Sequence, residues 1–330
     1  MHKYVKKKRR ICPKCKSSNT KKYGHARGVQ RYRCNECAHQ FNNERRQQNV
    51  LIKNLWKDYV FGKQTLRELK DKYCLDKRTI RDLFEKYHLP EKQHNPRQVH
   101  IVVDATYFGE RKEETSWCAA VARDPRAKEN LVWRFADTET TSLYTNLKDQ
   151  LEEAGYVVVS VTADGFSGIH SAFYGVPYQM CHVHMERLVI RGTTRNPQTE
   201  AGVILLALIR TLYKTNSHVF NTRLKMYIEK YNTFLNEKTT NPLTGEKYWT
   251  HKELRSAVMS LIRYKKYLFT FEQNKKIPKT TNSLEGHFSH IKDIVDVHRG
   301  LSRPQKQKVL TSIIMASTIA PSKKKLDEIL

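Results

Sequence analysis

Four cysteines near the N-terminus constrain what this chain can fold into: Cys12 and Cys15 in CPKC, then Cys34 and Cys37 in CNEC, with 18 residues between the pairs. Each C-x-x-C forms a tight knuckle that turns two thiolates toward one point, and two knuckles on neighbouring hairpins complete a tetrahedron. The spacing predicts a four-cysteine zinc ribbon holding one structural Zn2+. Four thiolates leave no open coordination position, so the ion replaces the hydrophobic core that ~40 residues cannot build. Disulfide pairing is the alternative. It suits an oxidising compartment, whereas a basic chain with an N-terminus too charged for a secretory signal is expected in reducing cytosol.

The formal charge of +27 is unevenly distributed. Residues 1–100 carry 27 basic and 9 acidic side chains, residues 101–185 carry 7 and 12, and residues 186–330 carry 26 and 12. A basic front and back around an acidic block suggests a polyanion held on both sides of a site that attracts cations. Solvated lysine surface accounts for scattered charge but not for an acidic block that is also the most strand-like part of the chain. The longest apolar run, Val203 to Ile209, is far short of the ~20 residues that cross a bilayer, so no membrane partner is expected. Lys6 to Arg10 (KKKRR) reads as a phosphate-binding arm or a nuclear signal.

Between the cysteine pairs, Tyr23, Arg27, Arg31, Tyr32 and Arg33 give the mixture of short strands facing a phosphate backbone. From Val50 to Tyr87 the spacing turns helical, and LRELKDKYCLDKRTIRDLFEKY resembles a helix-turn-helix with its turn at Leu75 and Asp76. Lys77, Arg78 and Arg81 would meet the DNA major groove, while Cys74, Ile80 and Leu83 would pack the small core. A plain three-helix bundle is the alternative. After a joint at His94 to Arg97, strands are predicted at Val99–Asp104, Trp117–Arg123, Leu131–Asp137, Tyr156–Asp164 and Tyr178–His184, with helices at Thr141–Glu153 and Phe166–Phe173. This β-β-β-α-β-α-β order is that of a ribonuclease H-like core, a meander extended by parallel strands with helices on its faces. Residues from Glu186 to about Asn274 read as helical around a loop at Asn241 to Lys247. The fold class is an α+β/α/β multidomain protein: zinc ribbon (1–45), helix-turn-helix (46–95), first part of the ribonuclease H-like mixed-sheet core (96–185), all-helical insertion (186–279) and C-terminal helices completing the core (280–330).

Asp104 closes the first predicted core strand and Asp164 the fourth. Two carboxylates leaving adjacent strand ends, with a third from a helix, supply hard oxygen ligands for two Mg2+ or Mn2+ ions, the arrangement that suits in-line phosphodiester chemistry. Each aspartate alone is an ordinary turn residue; the pairing carries the reading. Glu285, in TTNSLEGHFSHIKDIV, is the choice for the third ligand over Asp293 and Asp296, with Lys292 two turns later on the same face to meet a phosphate. Asn282 followed by Glu285 also fits a capping box. Cys181 and His184 in CHVH support the site, pack, or join a second zinc site that would need more ligands. His287 and His290 would touch the site or face solvent.

Asp104 in VVDATYFG, Asp164 in TADGFSGI, CHVH at 181–184 and Glu285 in TNSLEGHF together resemble a bacterial insertion-sequence transposase of the Mutator-like DDE group. The resemblance covers nearly the whole chain. It implies that Asp104, Asp164 and Glu285 hold the catalytic metals, that Cys181 and His184 match a supporting C-x-x-H motif, and that the glutamate follows an all-helical insertion. It further implies hydrolysis at terminal inverted repeats, attack of the freed 3′-hydroxyls on target DNA, double-stranded DNA as partner, a homodimer or higher assembly on DNA, and a cytoplasmic, nucleoid-associated protein. Trp249, Arg255 and the run Arg263 to Tyr267 would hold DNA or, for the aromatics, pack the insertion. Two other classes share parts of this pattern: a nuclease or resolvase that never joins, and a regulator using only the zinc ribbon and helix-turn-helix.

Overall fold

The computed structural model describes residues 10–26, 29–42, 44–109, 116–298 and 301–317. Lys6 to Arg9 of the basic run, and Arg27, lie outside the described residues. These fall into two compact units, one of positions up to Pro90 with Val297 and His298, the other of Glu91–Asp296 with the described residues from Leu301 on.

In the first unit, β1 (Thr20–Ala26), β2 (Val29–Cys34) and β3 (Gln40–Asn42) form an antiparallel sheet. Both knuckles are closed by the same device, a left-handed residue just after the second cysteine: Lys16 at φ +61° and Ala38 at φ +56°. The fold around them reverses the chain, with the Lys16 amide donating to the Cys12 carbonyl and the Cys34 amide to the His39 carbonyl, both at 3.0 Å. Three helices follow: α1 (Glu44–Val60), α2 (Leu66–Tyr73) and α3 (Lys77–Lys86). A capping box between Thr65 and Glu68 starts α2, and Asp76 caps α3 by accepting from the Arg78 and Thr79 amides. Ile80, Leu83 and Phe84 turn inward at three- and four-residue spacing, and Phe84 meets Trp56 edge-on at 5.1 Å. Cys74 does not join this core. It is the left-handed C-cap of α2, at φ +53°, and the turn exposes it.

The second unit is built on a five-stranded mixed sheet in the order β6-β5-β4-β7-β8, from β4 (Gln98–Phe108), β5 (Trp117–Asp124), β6 (Glu129–Ala136), β7 (Val157–Ala163) and β8 (Tyr178–Met180). The first three pair antiparallel, while β4-β7 and β7-β8 are parallel, consistent with a ribonuclease H-like core. Val99, Ile101 and Val103 join Leu143, Tyr144, Leu147 and Leu151 of α4 (Thr141–Glu153) and Ile169 and Ala172 of α5 (Ser167–Ala172) in one cluster. α11 (Asn282–Val295) packs against β4 and α12 (Arg303–Ala316) against β6. No helix among the described residues is long and apolar enough to cross a membrane.

Two expectations about strand ends change. Asp104 lies inside β4, because pairing with β5 continues from Asp104↔Val121 to Phe108↔Trp117 after pairing with β7 has stopped. The fifth strand ends at Met180, and His182 already begins α6 (His182–Thr193), so CHVH is a strand-to-helix junction.

Between β8 and α11 stand α6, α7 (Glu200–Arg210), α8 (Ser217–Lys230), α9 (Asn232–Leu235) and α10 (Lys252–Tyr264). The insertion is not wholly helical, since β9 (Lys238–Thr240) and β10 (Lys247–Trp249) frame the expected loop as a small antiparallel hairpin. α6 and α10 pack closely at Gly192, where a Cβ would stand 2.5 Å from the Glu253 carbonyl oxygen. The insertion's ends meet: the His182 amide donates to the Lys279 carbonyl at 3.0 Å, and Thr162 Oγ1 donates to the Pro278 carbonyl at 2.7 Å.

Candidate active site and cysteine cluster

The parallel register ends with Val102 opposite Thr162, and Asp104 and Asp164 follow two residues further on, near enough for the Asp164 charge to act on Asp104. Asp104 Oδ1 accepts from the Ala105 amide at 2.9 Å, and Asp164 Oδ1 from the Phe166 amide at 3.0 Å. Burial lifts the Asp104 carboxyl to about 7; His184 opposes the rise, and the charges of Asp164 and Glu139 add to it. Glu139, on the loop before α4, is thus a further carboxylate near the aspartates that the sequence reading did not single out.

Two tyrosines brace the turn that follows Asp164. Tyr178 donates its hydroxyl to the Asp164 carbonyl, and Tyr264, at the end of α10, donates to the Gly165 carbonyl at 2.7 Å. Gly165 is needed here because a Cβ would come within 2.9 Å of the Tyr264 hydroxyl. Tyr267 packs edge-on to Tyr178 at 5.5 Å. The Arg263 to Tyr267 run therefore divides: its tyrosines support the Asp164 turn, and Arg263, Lys265 and Lys266 are exposed.

Cys181 and His184, one helical turn apart, converge on Thr281. The Thr281 amide donates to the Cys181 sulfur at 3.3 Å, and its hydroxyl stands 3.4 Å from both that sulfur and His184 Nδ1. Thr281 immediately precedes α11, so the junction fixes where the helix carrying Glu285 begins. Burial disfavours charge on His184, but Cys181, Asp104 and Asp164 outweigh it and raise the imidazole to about 8. Burial likewise opposes ionisation of Cys181, yet His184 and Thr281 hold its thiol below the ordinary range.

Glu285 does not cap α11. Thr281 occupies the N-cap position without a side-chain bond, and both Glu285 oxygens go to Arg187 of α6, with Nη1–Oε1 at 3.1 Å and Nη2–Oε2 at 2.7 Å. His184 Nε2 is 3.8 Å from Oε1. Among the described residues, the cysteines are the only three or more metal-ligand atoms within 4.8 Å of one another; the Asp104, Asp164 and Glu285 carboxylates are more dispersed than that. Lys292 is half-buried with its ammonium 6.0 Å from the Phe108 ring. His287 turns away to Asn130, at 2.9 Å, and Ser317, at 3.1 Å, while burial chiefly, with Arg123 and His290, lowers it to about 4; His290 is exposed. Lys238, at 4.5 Å, and Arg255, at 4.0 Å, both stand over the Trp249 ring.

In the first unit, Cys12–Cys37 and Cys15–Cys34 sulfurs are each 3.5 Å apart, close to the ~3.8 Å edge of a tetrahedron with ~2.3 Å zinc–sulfur bonds. Burial works against ionisation of Cys12, but the Cys15 and Lys14 amides hold its thiol at about 7. Cys15 receives the Ser17 amide, yet the crowding of the other thiols and burial push it up to about 12. Four sulfurs gathered at this spacing fit a tetrahedral dication. Arg31 and Arg33 share one face of β2, both over the Tyr23 ring, and Lys77, Arg78 and Arg81 stand exposed on α3.

No curated protein matches the chain. The family model that does match spans residues 92–292, from the strap before β4 through the insertion and most of α11, and its description is the IS66 transposase family. The insertion-sequence transposase resemblance therefore stands, and the chain belongs to the IS66 transposase family.

Proposed function

We propose that this transposase binds the terminal inverted repeats of its insertion sequence, cleaves the DNA strands there and transfers the resulting 3′-hydroxyls to target DNA. The observation that carries the reading is the Asp104–Asp164 pair, one carboxylate inside β4 and one just past the end of its parallel neighbour β7, where burial and the Asp164 charge drive Asp104 toward its protonated form. That donor set fits a divalent cation: hard oxygens, partly buried, with charge to be compensated. Asp104 and Asp164 would hold two Mg2+ or Mn2+ ions with Glu285 as the third carboxylate. When bound, the metals activate the attacking water or 3′-hydroxyl and stabilise the leaving oxygen.

The remaining roles follow from the chain's own groups. Cys181 and His184 set the start of α11, and the raised imidazole keeps a positive charge beside the carboxylates. Lys292 lies on the Glu285 helix, suited to a DNA phosphate. The cysteine cluster would hold Zn2+ as a structural ion, Arg31 and Arg33 would contact phosphates, and Lys77, Arg78 and Arg81 would enter the major groove of an end. A homodimer or larger assembly would bring two ends together.

The test is incubation of purified protein with Mg2+ or Mn2+ and labelled DNA carrying the element's ends, beside Asp104→Asn. Nicking at the ends with joined products, absent from the variant, is expected. Cleavage without joining would point to a nuclease, and binding without metal-dependent cleavage to a regulator.

A further inference from the structure

The bidentate contact between Arg187 and Glu285 engages a proposed metal ligand, yet the proposed chemistry leaves it without a purpose. A guanidinium fork on a carboxylate occupies both oxygens that a metal would need. The Arg187 side chain is 56 % exposed and Glu285 24 %, so the pair stands at the rim, on the side of His184. Arg187 follows His184 by three residues on α6, which puts it on the face that meets the start of α11. The same fork fits a phosphate.

We propose that Arg187 is a positioning residue with two partners: without DNA it holds Glu285 away from Asp104 and Asp164, and when an end binds it moves to a backbone phosphate, releasing Glu285 to complete the metal ligands. The inference rests on the proposed function, because it takes Glu285 as the third metal ligand. Its consequence is that the metal site is incomplete until DNA occupies it, which couples metal loading to substrate capture.

The experiment measures Mn2+ affinity of the full-length protein by electron paramagnetic resonance, without DNA, for wild type, Arg187→Gln, Glu285→Gln and the double variant, with Asp104→Asn identifying the site. Arg187→Gln is expected to bind Mn2+ about fivefold more tightly than wild type, the equivalent of releasing one partly exposed ion pair. The gain is expected to vanish in the Glu285→Gln background; a gain that persists there would mean general repulsion of the metal and would overturn the exchange. In Ca2+, which allows binding to be read apart from cleavage, Arg187→Gln is expected to reduce the salt dependence of end-DNA affinity by about one phosphate contact. Arg187→Lys keeps a charge without the fork, so it is expected to gain Mn2+ affinity yet retain the salt dependence, and it guards against misfolding of the glutamine variant. Equal or weaker Mn2+ binding by both Arg187 variants would overturn the latch alone. Mn2+ binding indifferent to Asp104→Asn in every protein would remove the metal reading, and the latch with it.

Discussion

Replacing Asp104 by asparagine is expected to stabilise the second unit. Asparagine is nearly isosteric and its Oδ1 still accepts the Ala105 amide, so the change removes charge while preserving shape. In the metal-free protein the Asp104 carboxyl sits at about 7 against an ordinary value of 3.8, burial being the main cause, with Asp164 adding and His184 opposing. The folded state therefore binds more protons than the unfolded one between about pH 4 and pH 7, and wild-type stability falls as pH rises through that window. At 1.36 kcal/mol for each tenfold step in proton affinity the full penalty is about 4 kcal/mol. The opposing attraction to His184 is already contained in that net shift, so a gain of about 4 kcal/mol at most is expected at pH 8 and little at pH 4. The assay is urea unfolding followed by hydrogen exchange of β4 and β7 amides, in buffer freed of divalent ions by a resin so that no chelator reaches the cysteine cluster. Mg2+ is expected to stabilise wild type and leave the variant unmoved. A variant no more stable than wild type at pH 8, or a gain that persists undiminished at pH 4, would refute the account of a site whose carboxylates await a cation.

Removal of zinc with a strong chelator, or Cys34→Ser, is expected to unfold the β1-β2-β3 sheet while leaving the α4 and β7 amides protected; mass spectrometry of the intact protein would count one zinc per chain. Gly165→Ala is expected to destabilise the second unit by about 1 to 3 kcal/mol through overpacking against Tyr264, and Gly165→Ala with Tyr264→Ala to fall well short of the sum of the single losses; additive losses in a denaturation cycle would contradict the contact. Arg78→Gln with Arg81→Gln is expected to weaken binding to the element's ends and to lower its salt dependence by about two phosphate contacts or, where either reads a base, to relax sequence preference; end binding unchanged across a salt series would remove α3 from the interface.

How much was legible in the sequence follows the range of the interactions involved. The knuckles are local, so the C-x-x-C spacing was enough to foresee a four-sulfur cluster. The strands of the mixed sheet announce themselves by largely apolar, valine-rich runs such as VHIVVD and YVVVSVTAD. Where each strand ends is set by its neighbours: β5 extends β4 past Asp104, and no pattern within β4 reveals that. CHVH looked strand-like because Val183 continues the apolar run, yet the chain turns into α6 at His182. The partners of the site were hidden for the same reason. Thr281 is 100 residues from Cys181, and Arg187 is 98 from Glu285. Only the i, i+3 spacing of His184 and Arg187 offered a hint, since it places both on one helix face.

The two ends of the insertion meet across a single backbone hydrogen bond from His182 to Lys279, so nearly a hundred residues leave the sheet and return to the place they left. A closed excursion of this kind is a cassette. Its length enters the stability of the sheet only through a slowly growing loop term, and residues can be gained or lost within it without moving β4, β7 or the start of α11. The cassette is also tied to the sheet near the aspartates, by the Tyr264 hydroxyl on Gly165 and by Leu268, Thr270 and Phe271, which hydrogen-bond Tyr178 and Gln179 of β8. Exchange of the excursion between chains of this kind is therefore constrained at its two feet and along those bonds, and is freest on the outer surface, where Arg263, Lys265 and Lys266 stand exposed.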